Sequence, residues 1–239
     1  MVPYGFRGDF SVLHYSHNSN LNVSSTETKM KRYEQVSAFI LCGGANSRMG
    51  RPKGLLEFGG EPLIVRIVRI VQPLVASVTA VGTREQYAGV GLRFIEDAKF
   101  DGSDDRDAKA GPLAGIATAL NASPTEWNLI LACDLPYLGG DWLTWFLARA
   151  MQCDSHVVMP KTVAGVEPLA SVYRKECAGP VIAALRRGIR KVTDAIAPLR
   201  VQVVNEQEWQ HIDRDGRVLR NMNTPQDYEE ARTYLGRHR

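Results

Sequence analysis

The feature that most constrains the fold is a regular alternation. From Ser37 onward, short apolar runs follow one another with helix-length segments between them. The spacing predicts strands over Ser37–Leu41, Ser77–Gly82, Arg93–Ile95, Asn128–Cys133, His156–Met159, Leu169–Tyr173 and Val201–Val204. It predicts helices over Leu63–Leu74, Pro112–Asn121, Asp141–Met151, Lys175–Arg187 and Pro225–Leu235. Pro112 and Pro225 suit first-turn positions, and Thr224 suits the N-cap before Pro225. Several strands are continuous apolar runs, as expected where both faces of a sheet are covered. Alternating β and α implies one three-layer α/β domain, a mostly parallel central sheet with helices on both faces. Ligands of such sheets bind beyond the carboxyl ends of the strands. That rule selects Cys42–Lys53, Thr83–Arg84, Asp97 and Asp134.

Residues 1–33 read differently. His14–Lys29 is polar, rich in Ser and Asn, and has no period. A weakly ordered extension is expected there, followed by a domain over 34–239. An apolar fraction of 44% supports a sizeable core, and a formal charge of +3 gives no bulk electrostatic case for nucleic acid or membrane binding. The longest apolar runs fall short of the roughly 20 residues that span a bilayer. Cys42, Cys133, Cys153 and Cys177 form no C-x-x-C pair, and no secretory signal is visible. Free thiols of a reducing compartment and a cytoplasmic location are the expectation.

The strongest local signal is LCGGANSRMGRPKGLL, Leu41–Leu56, which leaves an apolar strand carrying Gly43, Gly44 and Gly50 with Arg48 and Lys53. Glycines let bare N–H groups approach an anion. Arg48 can fork two phosphate oxygens, and Lys53 supplies a compact charge. A triphosphate suits such a loop. It is neither G-x-x-x-x-G-K-[ST] nor G-x-G-x-x-G, which argues against the commoner phosphate loop and a dinucleotide oxidoreductase. Downstream, Asp134 ends an apolar run just before Leu135-Pro136 and can hold Mg²⁺ against a triphosphate. Read alone, it could equally be a turn residue. Asp97 ends another strand and could be a surface acid. Gly111-Pro112-Leu113 sets up a helix start whose backbone can face a ligand.

The pattern Leu41, Gly43, Gly44, Arg48, Met49, Gly50, Lys53 resembles the signature of the nucleotidyltransferases related to molybdenum cofactor guanylyltransferase. Cys42 stands where many of them have Ala. Cys133-Asp134-Leu135-Pro136 is similar to the family's metal-binding motif, Gly111-Pro112-Leu113-Ala114-Gly115 to a segment beside the purine, and Asn221-Met222-Asn223-Thr224-Pro225 to its N-x-N-T-P motif. The resemblance implies a Rossmann-like nucleotidyltransferase fold and the transfer of GMP from GTP to the phosphate of molybdopterin, with release of pyrophosphate. Nucleotide binding would then involve Leu41, Cys42, Gly43, Gly44, Arg48, Lys53, Thr83, Asp97, Gly111, Pro112, Leu113 and Asp134. Catalysis would rest on Arg48, Lys53 and Asp134, with Mg²⁺ on Asp134. The acceptor would meet Pro168, of the family-like segment Glu167-Pro168-Leu169-Ala170, the basic pair Arg190 and Lys191, and the amides Asn221 and Asn223. Molybdenum-insertion proteins and target molybdoenzymes are the implied protein partners. Two alternatives stay open: CTP on molybdopterin or a nucleotide on a sugar or polyol phosphate, and a non-catalytic nucleotide-binding partner of molybdoenzymes.

Overall fold

A computed structural model describes residues 31–43, 51–98, 100 and 111–237. The strands in chain order are β1 (Tyr33–Leu41), β2 (Glu57–Phe58), β3 (Glu61–Pro62), β4 (Val75–Val81), β5 (Phe94–Ile95), β6 (Trp127–Ala132), β7 (Val157–Thr162), β8 (Gly165–Val166), β9 (Ala170–Arg174) and β10 (Val201–Asn205). The helices are α1 (Leu63–Val71), α2 (Pro112–Ala122), α3 (Gly140–Ala150), α4 (Ala178–Arg186), α5 (Val192–Ile196) and α6 (Pro225–Arg237). The central sheet runs β10-β7-β9-β6-β1-β4-β5, with β8 on β7. Pairing is parallel for β1 with β4 and β6, β4 with β5, and β7 with β10; β9 runs antiparallel to both β6 and β7.

Period-two alternation divides the core between the two faces of this sheet. On β1, Val36, Ala38 and Ile40 join one apolar cluster with α1, α3 and α6, whereas Phe39 and Leu41 join a second with α2, α4 and α5. β6 repeats the division, Leu129 and Leu131 against Ile130. All six residues of β6 are buried, including Asn128, whose side-chain amide donates to the Tyr173 carbonyl.

β1 begins at Tyr33, ahead of both the predicted strand start and the predicted domain start, because the Tyr33 ring is 2% exposed and belongs to the core. Residues 1–30, the bulk of the predicted extension, lie outside the described residues. Two further departures involve local geometry. The turn after Leu56 is a hairpin of β2 and β3, with Gly59 and Gly60 at positive φ. The segment after Lys191 forms α5, whose five residues are too short for a helical period to show.

Thr224 caps α6 as predicted. Its hydroxyl accepts from the Asp227 N–H at 3.1 Å, and the Asp227 carboxylate accepts from the N–H groups of Thr224 and Asn223. The Thr224→Ala variant is expected to lose about 1 kcal/mol of stability in urea unfolding; an unchanged midpoint and slope would mean that the cap contributes nothing. No helix among the described residues is long and apolar enough to cross a membrane.

Candidate active site

β1, β4, β5 and β6 all end at one edge of the sheet. Past its end β1 continues as Cys42 and Gly43, and the Cys42 N–H donates to the Val81 carbonyl at 2.7 Å. β4 closes on Gly82, whose φ of 141° lies outside the range side chains favour. A Cβ at Gly82 would lie 3.0 Å from the Gly43 nitrogen, so this glycine lets the two strand ends meet. Thr83 follows, exposed, and its carbonyl accepts from Gln86 as a 3-10 turn begins.

Asp97 enters beside this junction. The Gly82 N–H donates to the Ile95 carbonyl, and the Ala98 N–H donates to the Thr118 hydroxyl of α2. A Cβ at Gly43 would lie 3.3 Å from Asp97 Oδ2, and one at Gly115 would lie 3.6 Å from Oδ1. Asp97 therefore sits between the head of the glycine loop and the first turn of α2. Its surface is open to solvent, yet desolvation by the protein packed behind the carboxyl raises its pKa. α2 starts at Gly111, whose φ of 65° suits glycine, with Pro112 in the first turn. Leu41 and Leu113 direct their side chains into the core, so their contribution to a ligand is limited to backbone.

The polar centre lies one strand away. Beyond β6, the Cys133 N–H donates to the Leu41 carbonyl at 3.2 Å, extending the ladder to the residue before Asp134. A 3-10 turn at Lys53–Leu55 carries Lys53 to the same place. Lys53 Nζ lies 2.9 Å from Asp134 Oδ2 and donates to Asn223 Oδ1 at 2.7 Å. These partners stand 81 and 170 positions from Lys53 in the chain. The side chains of Lys53 and Asp134 are 19% and 18% exposed, enough for a ligand to reach them. The Met222 N–H donates to the Asp134 carbonyl at 3.0 Å, so the segment preceding α6 is pinned beside β6.

Glu167, of the same family-like segment as Pro168, is coupled electrostatically to this centre. Burial raises the Glu167 pKa; a hydrogen bond from Thr162 opposes the rise, and the charge of Asp134 adds to it. The Glu167 carboxyl thus feels the charge of Asp134. It precedes Leu169, which stands just before β9 and whose carbonyl accepts from the Ala132 N–H. Pro168 offers its carbonyl to the buried Tyr173 hydroxyl at 2.9 Å.

The other acceptor candidates divide. Asn223 reaches the centre through Lys53. Asn221 is exposed two residues earlier. Arg190 donates to the Leu185 and Ile189 carbonyls, and Lys191 pairs with Asp194 at 3.5 Å. These bonds hold the corner between α4 and α5 and do not run to Lys53, Asp134 or Asn223. Gly44 and Arg48 lie outside the described residues, as does the charged segment 101–110.

Whether these donors suit Mg²⁺ follows from their number and chemistry. Among the described residues, no group of three His, Cys, Asp or Glu side chains could hold a metal. Mg²⁺ does not need such a cage, because it binds through one or two carboxylates, retained waters and substrate phosphates. The single carboxylate of Asp134 is compatible with a cation held in that way.

An α/β sheet that gathers glycine backbone, a lysine and carboxylates at its carboxyl edge belongs to the class of nucleotide-handling phosphoryl enzymes. Similarity to known proteins specifies that class further. The family model of the MobA-like NTP transferase domain matches residues 38–203, and the chain belongs to that family. It is a nucleotidyltransferase. It is 34% identical over 197 residues to a probable molybdenum cofactor guanylyltransferase of Carboxydothermus hydrogenoformans, covering 82% of this chain and 94% of the relative. The fold matches a molybdopterin-guanine dinucleotide biosynthesis protein A from Archaeoglobus fulgidus with a TM-score of 0.70 at 23% identity, over 84% of this chain and 99% of that one. It also matches a 2-C-methyl-D-erythritol 4-phosphate cytidylyltransferase from Thermus thermophilus, with a TM-score of 0.59 at 16% identity, over 83% and 98%.

Proposed function

We propose that this chain transfers the guanylyl group of GTP to the terminal phosphate of molybdopterin, releasing pyrophosphate. The observation that carries the reading is the double contact of Lys53: one amine bonds Asp134, on the side of the nucleotide loop, and Asn223, of the segment resembling an acceptor motif. Substrates held from both sides would meet at that amine. The relative named as a guanylyltransferase supports the choice of base and acceptor.

In this reading a phosphate oxygen of the acceptor attacks the α-phosphorus of GTP. The bond from that phosphorus to the β-phosphate oxygen breaks, and pyrophosphate leaves. The nucleophile is already anionic, so no protein base has to remove a proton. The chain's task is to bring two anions into line and to meet the charge of the transferring group. Lys53 supplies a fixed positive donor. Gly43 presents backbone to the phosphates, and Asp97 stands at the mouth between Gly43 and α2. Asn223 offers an amide whose donors and acceptor suit a pterin edge. Asp134, with Glu167 near it, would hold Mg²⁺, which when bound supplies further positive charge to the triphosphate.

Because the cytidylyltransferase from Thermus thermophilus shares the fold, the nucleotide is the choice to test. In thermal unfolding with Mg²⁺, GTP is expected to raise the midpoint well above the shift given by CTP at equal concentration, since only the tighter ligand stabilises the native state appreciably. An equal or larger shift with CTP would contradict the guanine reading.

A further inference from the structure

Cys42 and Cys133 take no part in the transfer step above, yet each directly precedes a residue placed in it. Cys42 precedes Gly43, and Cys133 precedes Asp134. β1 and β6 are parallel neighbours paired through Leu41 and Ala132, and the bond from the Cys133 N–H to the Leu41 carbonyl carries that register past the strand ends. The two cysteines therefore stand side by side. Paired strands lie about 4.8 Å apart, within the roughly 4.4–6.8 Å of Cα separation that a disulfide bridges. Their side chains also share a face: Cys42 belongs to the cluster on the α1, α3 and α6 side, and Cys133 packs against it. The Tyr87 hydroxyl lies 3.9 Å from Cys133 Sγ, and the Cys42 thiol donates to the Ile40 carbonyl at 3.4 Å. Cys42 is a buried residue and Cys133 a partly buried one. In the structure both are free thiols.

We propose that Cys42 and Cys133 form an oxidative modification site, in which a peroxide joins them in a disulfide that slows nucleotidyl transfer and that a thiol reductant reverses. In the first step one of the two sulfurs takes an oxygen from hydrogen peroxide, giving a sulfenic acid and one water. In the second, the other sulfur displaces that hydroxyl as water, forming the S–S bond. Two thiols are oxidised, one peroxide is reduced, and both thiol hydrogens leave in the two waters. Bridging draws the sulfurs to about 2.05 Å, which pulls on the backbone at Gly43 and at Asp134 together. Displacement of reacting groups by about 1 Å can cost on the order of 100-fold in rate. The effect on turnover rests on the proposed function; the formation of the bridge does not.

The test is mild hydrogen peroxide treatment of the folded full chain, followed by mass analysis of the intact protein and of its non-reduced peptides. The expected result is loss of two hydrogens in mass and a peptide linking Cys42 to Cys133. Dithiothreitol should reverse both, and the Cys133→Ala and Cys42→Ala variants should show neither. Sulfinic or sulfonic acids alone, or a bridge through Cys153 or Cys177, would overturn the site. Pyrophosphate release is then compared before and after oxidation. It should fall at least about 10-fold in the wild-type chain, but change little on the same treatment of Cys133→Ala. Equal loss in the variant, or full activity of the bridged protein, would overturn the regulatory effect. A reduced enzyme that releases no pyrophosphate from GTP would instead count against the proposed function.

Discussion

The Asp134→Asn variant is expected to fold normally and to turn over at least about 100-fold more slowly than the wild-type chain, the scale on which loss of one preorganised electrostatic group is felt. The substitution keeps the shape of the side chain and removes its charge. The structural ties of this residue run through backbone: its carbonyl accepts from Met222, and β6 before it is wholly buried. Neither changes with the side chain. What changes is the partner of Lys53, at 2.9 Å, and the hard anionic oxygen that would bind a divalent cation. Steady-state turnover at saturating magnesium, together with a thermal melt, checks this. Near-normal turnover would remove Asp134 from the chemistry, and a collapsed melt would show that its role is structural.

Lys53→Ala should act chiefly on binding. Hydrogen bonds to charged groups contribute about 1.5–3 kcal/mol each, so GTP affinity is expected to fall roughly 10- to 100-fold, with a loss of rate at saturation as well. Truncation also leaves the Asp134 carboxylate and the Asn223 amide without their common donor. Lys53→Arg should rescue poorly, because a planar fork cannot point one compact charge at two partners 2.9 and 2.7 Å away. A GTP titration by calorimetry reads the result; an unchanged dissociation constant would contradict the role.

The fold was legible wherever burial imposed a pattern. The apolar stretches Ala38–Leu41 of β1 and Leu129–Ala132 of β6 are legible because helices cover both faces of these strands, and α2 is legible from Pro112 at its first turn. Strand direction was not legible. Nothing local to Ala170–Arg174 distinguishes a strand inserted antiparallel between β6 and β7 from a parallel one, since both bury the same residues. The start of β1 was missed because Glu34 and Gln35 interrupt the apolar pattern while Tyr33 returns to the core. At the site, spacing and residue type singled out Lys53 and Asp134 separately. Their meeting with Asn223 depends on tertiary contacts across 81 and 170 positions, which no local pattern encodes. Glu167 is marked in the sequence by its place in the family-like segment Glu167-Pro168-Leu169-Ala170, but its coupling to the charge of Asp134 arises only in the tertiary structure. The basic run Arg190-Lys191 drew attention by charge alone, whereas its described bonds hold the α4–α5 corner together.

The most direct measurement of the central claim is product analysis with the full chain, magnesium, molybdopterin and either GTP or CTP. The account predicts pyrophosphate and a guanine dinucleotide of the pterin in equal amounts, formed with GTP and dependent on both magnesium and Lys53. A cytosine product formed in preference, or nucleotide bound without any pyrophosphate released, would contradict it.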